Sequence, residues 1–153
     1  MKIRKAAAPD LRRIVELCWE MEHHIHPREV VPKHQCRRPS LRYFRAQLKE
    51  PEVWACVAEE RGAVVGYGIY RIQHSDPIHK TRRYGHIMDV MVDDSHRRCG
   101  VGRALLKYML AQLKRRKIKK IRLIVDLANL NAQALYKSLG FAPEYYRMVR
   151  KGR

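Results

Sequence analysis

Val90-Met91-Val92-Asp93-Asp94-Ser95-His96-Arg97-Arg98-Cys99-Gly100-Val101-Gly102-Arg103 leads from an apolar run through a polar turn with two glycines into a basic segment. These are the parts of an anion cradle. Gly100 and Gly102 leave room for backbone to approach a phosphate. The helix that follows offers N–H groups without intrahelical partners and the positive end of its dipole, and Arg97, Arg98 and Arg103 add charge. A pyrophosphate suits such a turn. A dinucleotide-binding reading fails, because the turn comes late in the chain, follows antiparallel-looking strands and lacks the third glycine of GxGxxG. No GxxxxGK[ST] occurs either, which leaves nucleotide hydrolysis without support. Taken alone, the two glycines are equally compatible with a purely structural turn.

Working outward, Tyr84 to Val92 reads as a strand entering the turn, and Val101, Leu105, Leu106, Met109, Leu110 and Leu113 form the apolar stripe of an amphipathic helix leaving it. Upstream, Val53 to Glu59 and Val64 to Gln73 are apolar, β-branched or aromatic runs joined by Arg61-Gly62, the pattern of an antiparallel hairpin. Met1 to Lys5 alternates like a short strand. Pro9-Asp10 then supplies helix-start chemistry ahead of Leu11, Ile14, Val15, Cys18 and Met21. The His-, Pro- and Arg-rich stretch from His23 to Pro39 reads as a loop, with Ser40 capping a second helix that runs to about Glu50. Downstream, Ile121 to Asp126 is a short apolar strand, Asn131 to Leu139 a helix ending at Gly140, and Glu144 to Arg150 a final strand. Helices alternating with strands around one hairpin predict a mixed α/β fold with a largely antiparallel sheet, in one domain spanning 1–153.

Arg97-Arg98-Cys99-Gly100-Val101-Gly102 matches the cofactor signature of the GNAT N-acetyltransferase superfamily: Arg or Gln, two residues, Gly, any residue, then Gly or Ala. A second segment, from Asn129 through Ala132 and Tyr136 to Gly140-Phe141, is similar to the superfamily's later signature. With both motifs in order and the elements around them in family sequence, the chain resembles a GNAT protein from Met1 to Arg150. The resemblance implies acetyl-coenzyme A as acetyl donor, with no metal. Backbone groups of Val90, Met91 and Val92 would engage the acetyl-pantetheine arm. Arg97, Arg98, Cys99, Gly100, Val101, Gly102 and Arg103 would surround the pyrophosphate, and Asn129 would bind the amide region of the arm. The sheet would be splayed at the cofactor, between the strand holding Val92 and that holding Ile124.

Direct transfer needs a neutral amine, donors for the oxygen that gains charge, and an acid for the departing thiolate. The resemblance implies that Tyr136, which matches the family tyrosine, is that acid, with packing beside Phe141 as the structural alternative; a phenol with an ordinary pKa near 10 stays protonated at neutrality. A backbone N–H near Met91 would polarise the acetyl oxygen. Some family members carry a Glu on the cofactor strand where this chain has Met88, so the base is open between Asp89 acting through water and His86. Asp89 serves equally as a binding group for a cationic substrate or as half of an ion pair. Cys99 is a bystander thiol rather than an acyl carrier. His23, His24, His26, His34 and Cys36 lack the spacing of a closed zinc site. Tyr43, Phe44, Trp54, Tyr67 and Tyr70 are core or acceptor-pocket wall.

Charge sets the remaining bounds. With 33 Lys and Arg against 15 Asp and Glu, the net charge of +18 favours an anionic ligand or partner. An amine bearing carboxylate or phosphate, or an acidic protein, suits that field better than a polyamine. The opposing reading is a basic nucleic-acid-binding module, through Arg115-Arg116-Lys117-Ile118-Lys119-Lys120 and the Arg150-Lys151-Gly152-Arg153 tail, although no zinc-finger, RNP or basic-zipper pattern accompanies them. A third is a coenzyme A-binding regulatory domain without turnover. Cys18, Cys36, Cys56 and Cys99 are scattered without a CxxC pair, no run approaches the ~20 apolar residues of a membrane span, and Met1 to Pro9 lacks a signal-like apolar block, so the expected location is the cytoplasm without membrane attachment. The resemblance also leaves room for a homodimer.

Overall fold

The structure, a computed structural model, describes residues 1–25, 28–145, 148–150 and 152. Strand β1 (Lys2–Lys5) leads through a 3-10 turn (Ala8–Asp10) into α1 (Leu11–Ile25), followed by α2 (Lys33–Gln47) and the hairpin β2 (Val53–Glu60) and β3 (Ala63–His74). Then come β4 (Arg83–Val92), a second 3-10 turn (Asp94–His96), α3 (Val101–Arg115), β5 (Ile121–Leu123) and α4 (Leu130–Lys137). The sheet has the order β1-β2-β3-β4-β5; every neighbouring pair is antiparallel except β4 and β5, which the intervening α3 makes parallel. Arg61 and Gly62 both have positive φ, 50° and 80°, as a two-residue hairpin turn that follows strand twist requires.

The sheet separates two apolar layers. On one face Val101, Leu105, Leu106, Met109 and Leu113 of α3 pack against Cys56, Ala58, Tyr70, Ile72 and Ile87. On the other, Leu11, Ile14, Val15 and Leu17 of α1 and Phe44 of α2 pack against Val57, Tyr67, Ile69 and Met91. Each fully buried leucine contributes roughly 1.5–3 kcal/mol. A Cβ on Gly68 would stand 2.8 Å from the Sδ and Cε atoms of Met109, so the end of that α3 side chain occupies the space over β3 that Gly68 leaves open. The entry to α1 is fastened by buried Asp10, which accepts the Ala7 N–H at 2.7 Å and two Arg4 bonds at 2.7 and 3.0 Å, while Arg4 Nε reaches Glu59 at 2.7 Å.

Three expectations need correction. Ser40 is no N-cap: α1 continues through His23 and His24, and α2 starts at Lys33 and runs through Pro39. The Pro32 carbonyl starts that helix by accepting from Gln35 at 2.9 Å and Cys36 at 3.3 Å, and Trp19 Nε1 holds the connection by donating to Val31 O at 2.9 Å. Pro39 thus lies where it removes an internal helix bond, a loss offset by the burial of Phe44. Second, β5 ends at Leu123 rather than Asp126, because β4 turns away from it. Third, Glu144, Tyr145 and Met148–Arg150 form no strand; positions 146 and 147 lie outside the described residues. Glu144 is held by side chains, Lys120 at 2.5 Å and Arg122 at 3.3 Å, and Tyr145, Met148 and Val149 bury too little apolar surface to hold a strand in place.

Candidate active site

The site begins with one extra residue in β4. Gly68 pairs with Val90 and Ile69 with Asp89, but Tyr70 pairs with Ile87, so Met88 is a bulge. The bulge reverses which residues face which layer: Gly85 and Ile87 face α3 before it, Val90 and Val92 after it, while Met88 and Met91 face the α1 layer. It also bends the strand. β5 pairs with β4 only at Gly85, His86 and Ile87, and among the described residues nothing pairs with that edge from Met88 to Val92. Peptide groups alternate between the two edges of a strand. The Asp93 N–H bonds to Val65 O at 2.9 Å, and the Met91 carbonyl lies 2.7 Å from where a Gly66 Cβ would stand, so residues 91 and 93 address β3. The backbone groups of Val90 and Val92 therefore face the gap, and burying them without a partner would be costly.

At the end of the gap the chain makes its glycine turn. Asp93 holds the start, accepting the Ser95 N–H at 3.0 Å and pairing with Arg13 of α1. Arg98 (φ 67°) and Gly100 (φ 82°) are left-handed, and the Gly100 carbonyl accepts the Ala104 N–H at 3.0 Å to open α3. From Arg98 to Arg103 the backbone N–H groups have no acceptor among the described residues. The arginines hold the turn to its neighbours: Arg97 pairs with Asp94 at 2.6 Å, Arg98 donates to Asn131 at 3.1 Å and Arg103 to Ser138 at 2.9 Å. A Cβ on Gly102 would sit 3.4 Å from Leu135 and 3.7 Å from Val92, so this glycine lies where β4, α3 and α4 meet. Asn129 caps α4, its Oδ1 accepting the Ala132 N–H at 3.0 Å, which leaves its amide nitrogen as the group to offer a ligand. Cys99 is exposed and Val101 is core.

Beside the bulge lies a cluster of titratable groups. Tyr67 is fully buried and donates to Asp89; this makes it core rather than pocket wall. Trp54 and Tyr70 pack on each other in the α3 layer at 5.6 Å, leaving the acceptor side of the gap to other residues. Burial pushes Asp89 up to about 6, with help from the negative charge of Glu22 and against hydrogen bonds from the Tyr67 hydroxyl and the Val90 backbone. Cys18, one turn before Glu22 on α1, is pushed up to about 11 by burial and then by Asp89. Tyr136 is raised above its ordinary value by burial and by the charge of Asp89, and its ring meets Phe141 edge-on at 6.0 Å. Thus the acid candidate and the carboxylate, 47 positions apart in the chain (136 minus 89), share one electrostatic environment. His86 lies instead in the paired half of β4, opposite Arg71 and Arg122, with its pKa lowered by burial. Glu22 was the residue that sequence reading missed; its spacing from Cys18 was the available signal. An open cavity of about 410 Å³ near the start of β4, among His79, Lys80, Tyr84 and Arg122, is apart from these groups.

The description "Acetyltransferase (GNAT) family" matches residues 9–141. The chain belongs to the GNAT acetyltransferase family. It is 35% identical over 104 residues to an N-alpha-acetyltransferase of Sulfurisphaera tokodaii, covering 65% of this chain and 62% of that protein. It is 40% identical over 55 residues to the [ribosomal protein bS18]-alanine N-acetyltransferase of Escherichia coli, 36% of this chain and 37% of that one. A mycothiol acetyltransferase of Thermobispora bispora is 38% identical over 85 residues, 56% of this chain and 28% of the relative. This GNAT chain therefore spans less than two thirds of the curated relatives it matches. Among solved structures, a Clostridium acetobutylicum predicted acetyltransferase with acetyl-CoA superposes with a TM-score of 0.75 at 21% identity, over 98% of this chain and 95% of that one. A mutant Bacillus halodurans protein reaches 0.83 at 22% identity over 100% of both chains, and at such identities the likeness speaks for the fold.

Proposed function

We propose that this chain transfers an acetyl group from acetyl-coenzyme A to an amine, and that the acceptor is a peptide or protein α-amine. The observation that carries the reading is the edge of β4 at Val90 and Val92, unpaired among the described residues, opening beside Tyr136 at one end and the N–H groups of Arg98–Arg103 at the other. The residues present suit the donor: an extended amide-containing arm can pair with the free edge, and a pyrophosphate can accept from the turn. When bound, the donor supplies an activated acyl carbon on sulfur. Val90 and Val92 offer backbone groups to the arm and to the acyl oxygen, and the Asn129 amide nitrogen adds a donor. Tyr136, kept protonated by burial and by Asp89, gives its proton to the departing sulfur.

Asp89, at about 6, is a carboxylate at neutral pH and takes the amine's proton through a water. The match is better to an α-amine, with a pKa of about 7.7–8.0, than to a lysine at about 10.4, because the proton moves across a smaller gap. Two of the relatives bear names that specify α-amine acetylation, in support of the same acceptor. Glu22 and Asp89 provide local negative charge for an ammonium group inside an otherwise positive field. The test is thiol release from acetyl-coenzyme A with peptides whose α-amine is free, whose α-amine is blocked, or whose lysine alone is free, with product masses measured. Release with the free α-amine is expected. Turnover confined to lysine would overturn the acceptor assignment, and no release with any amine would overturn the enzyme.

A further inference from the structure

The α2 segment Lys33–Gln47 contains Lys33, Arg37, Arg38, Arg42 and Arg45 and no Asp or Glu, and Lys49 follows in the turn just beyond its C-cap. Steps of four, three and four put Arg38, Arg42, Arg45 and Lys49 in one row along the helix. All are exposed, and with Leu41 and Ala46 they line a shallow groove of about 440 Å³. Among the described residues no member of the row makes an ion pair or a side-chain hydrogen bond. Like charges one turn apart weaken a helix, and Pro39 weakens this one further. The fold itself does not use the row.

The other basic run differs. Arg116 lies over the Trp54 ring at 4.1 Å and donates to Gln112 O at 3.0 Å, while Lys120 and Arg122 both engage Glu144, at 2.5 and 3.3 Å. Arg116 and Lys120, two cations of the run that the sequence alone offered to nucleic acid, are thus committed to structure.

We infer that the α2 row is a docking track for the sugar-phosphate backbone of a nucleic-acid strand. From Arg38 to Arg45 the row covers roughly 10 Å of helix, and Lys49 extends it from the turn beyond, a linear array suited to successive phosphates. Arg38, Arg42 and Arg45 carry guanidinium forks, which match phosphate oxygens better than ammonium groups do. A protein partner would need an apolar centre, and between the charges the groove offers only Leu41 and Ala46. Such a contact is independent of base sequence and of the acetyl-transfer reading.

The experiment measures fluorescence anisotropy of a labelled single-stranded RNA of about 20 nucleotides on the full chain, across roughly 50–200 mM salt. The variants are Arg38→Gln/Arg42→Gln/Arg45→Gln in α2 and a control of equal charge change, Lys114→Gln/Arg115→Gln/Lys117→Gln. At roughly 0.7 per lost phosphate contact, the α2 variant should flatten the log affinity against log salt slope by about 2 and lose roughly tenfold or more in affinity, with the control losing less than half that slope. Thermal melting should show the α2 variant folded and no less stable than the parent, since repulsion has been removed. Equal losses in both variants would mean bulk attraction and overturn the proposal. So would no RNA binding by the parent chain, or displacement of RNA by an equal charge concentration of polyglutamate, which would point to an acidic protein instead.

Discussion

Gly85–Ile87 and Val90–Val92 belong to the same strand and lie two residues apart, yet among the described residues the first stretch is paired on both edges and the second with β3 alone. The doubly paired half contributes to stability: its backbone groups are satisfied and Ile87 is buried under α3. The half beyond Met88 has relinquished a neighbour, and the exposed edge is what a ligand with its own amides can use. A single inserted residue separates the two regimes, because it changes both the direction of the strand and the side to which each later residue points. Structure-building and ligand-binding positions can therefore adjoin without sharing side chains.

The largest expected effect breaks the open half chemically. Tyr136→Phe should lower turnover by on the order of 10²-fold or more while leaving acetyl-coenzyme A affinity and melting temperature nearly unchanged; steady-state and binding measurements separate these. In contrast, Gly68→Val strikes the packed half. Its new side chain meets Met109 where even a Cβ would be 2.8 Å away, so unfolding in urea should show a loss of about 1–3 kcal/mol.

A third prediction sharpens the chemistry of the bulge. Raised from 3.8 to about 6, Asp89 is ionised only above that value, so kcat/KM should rise with pH through about 6. Glu22→Gln removes a like charge and should shift this limb to lower pH, whereas Asp89→Asn should abolish it. The sign for stability is opposite: the folded state holds this proton more tightly than the unfolded chain, so the contribution from neutral Asp89 is lost as pH rises from about 3.8 through about 6. Gly102→Ala should have the smallest effect, within about 0.5 kcal/mol by urea unfolding, because its Cβ would reach ordinary contact with Leu135 at 3.4 Å.

Legibility followed the range of the interactions. The α1 and α3 stripes, the Arg61-Gly62 hairpin and the glycine turn were readable because each signal is local: a residue's neighbours at three or four positions, or at two, decide its face. The same locality misled at Ser40. Pro39 reads as a helix boundary, whereas Phe44 packing and the Trp19 bond to Val31 extend α2 to Pro32. It misled again at β5, where Ile124 continues an apolar run but is 63% exposed because its partner strand has diverged. The meeting of Glu22, Tyr67, Asp89 and Tyr136 left almost no mark in the chain, since they come from four separate elements.

By itself the sequence determined the order of helices and strands as far as α4, the glycine turn and the tyrosine motif that together resemble one family. Periodicity and backbone permissiveness are properties of short segments, and they suffice for that. Only the tertiary structure decided where β4 parts from β5, which carboxylate shares an environment with Tyr136, and which of the many cations are neutralised. Those outcomes depend on strand register and on charges brought close through space, and neither quantity exists until the chain has packed.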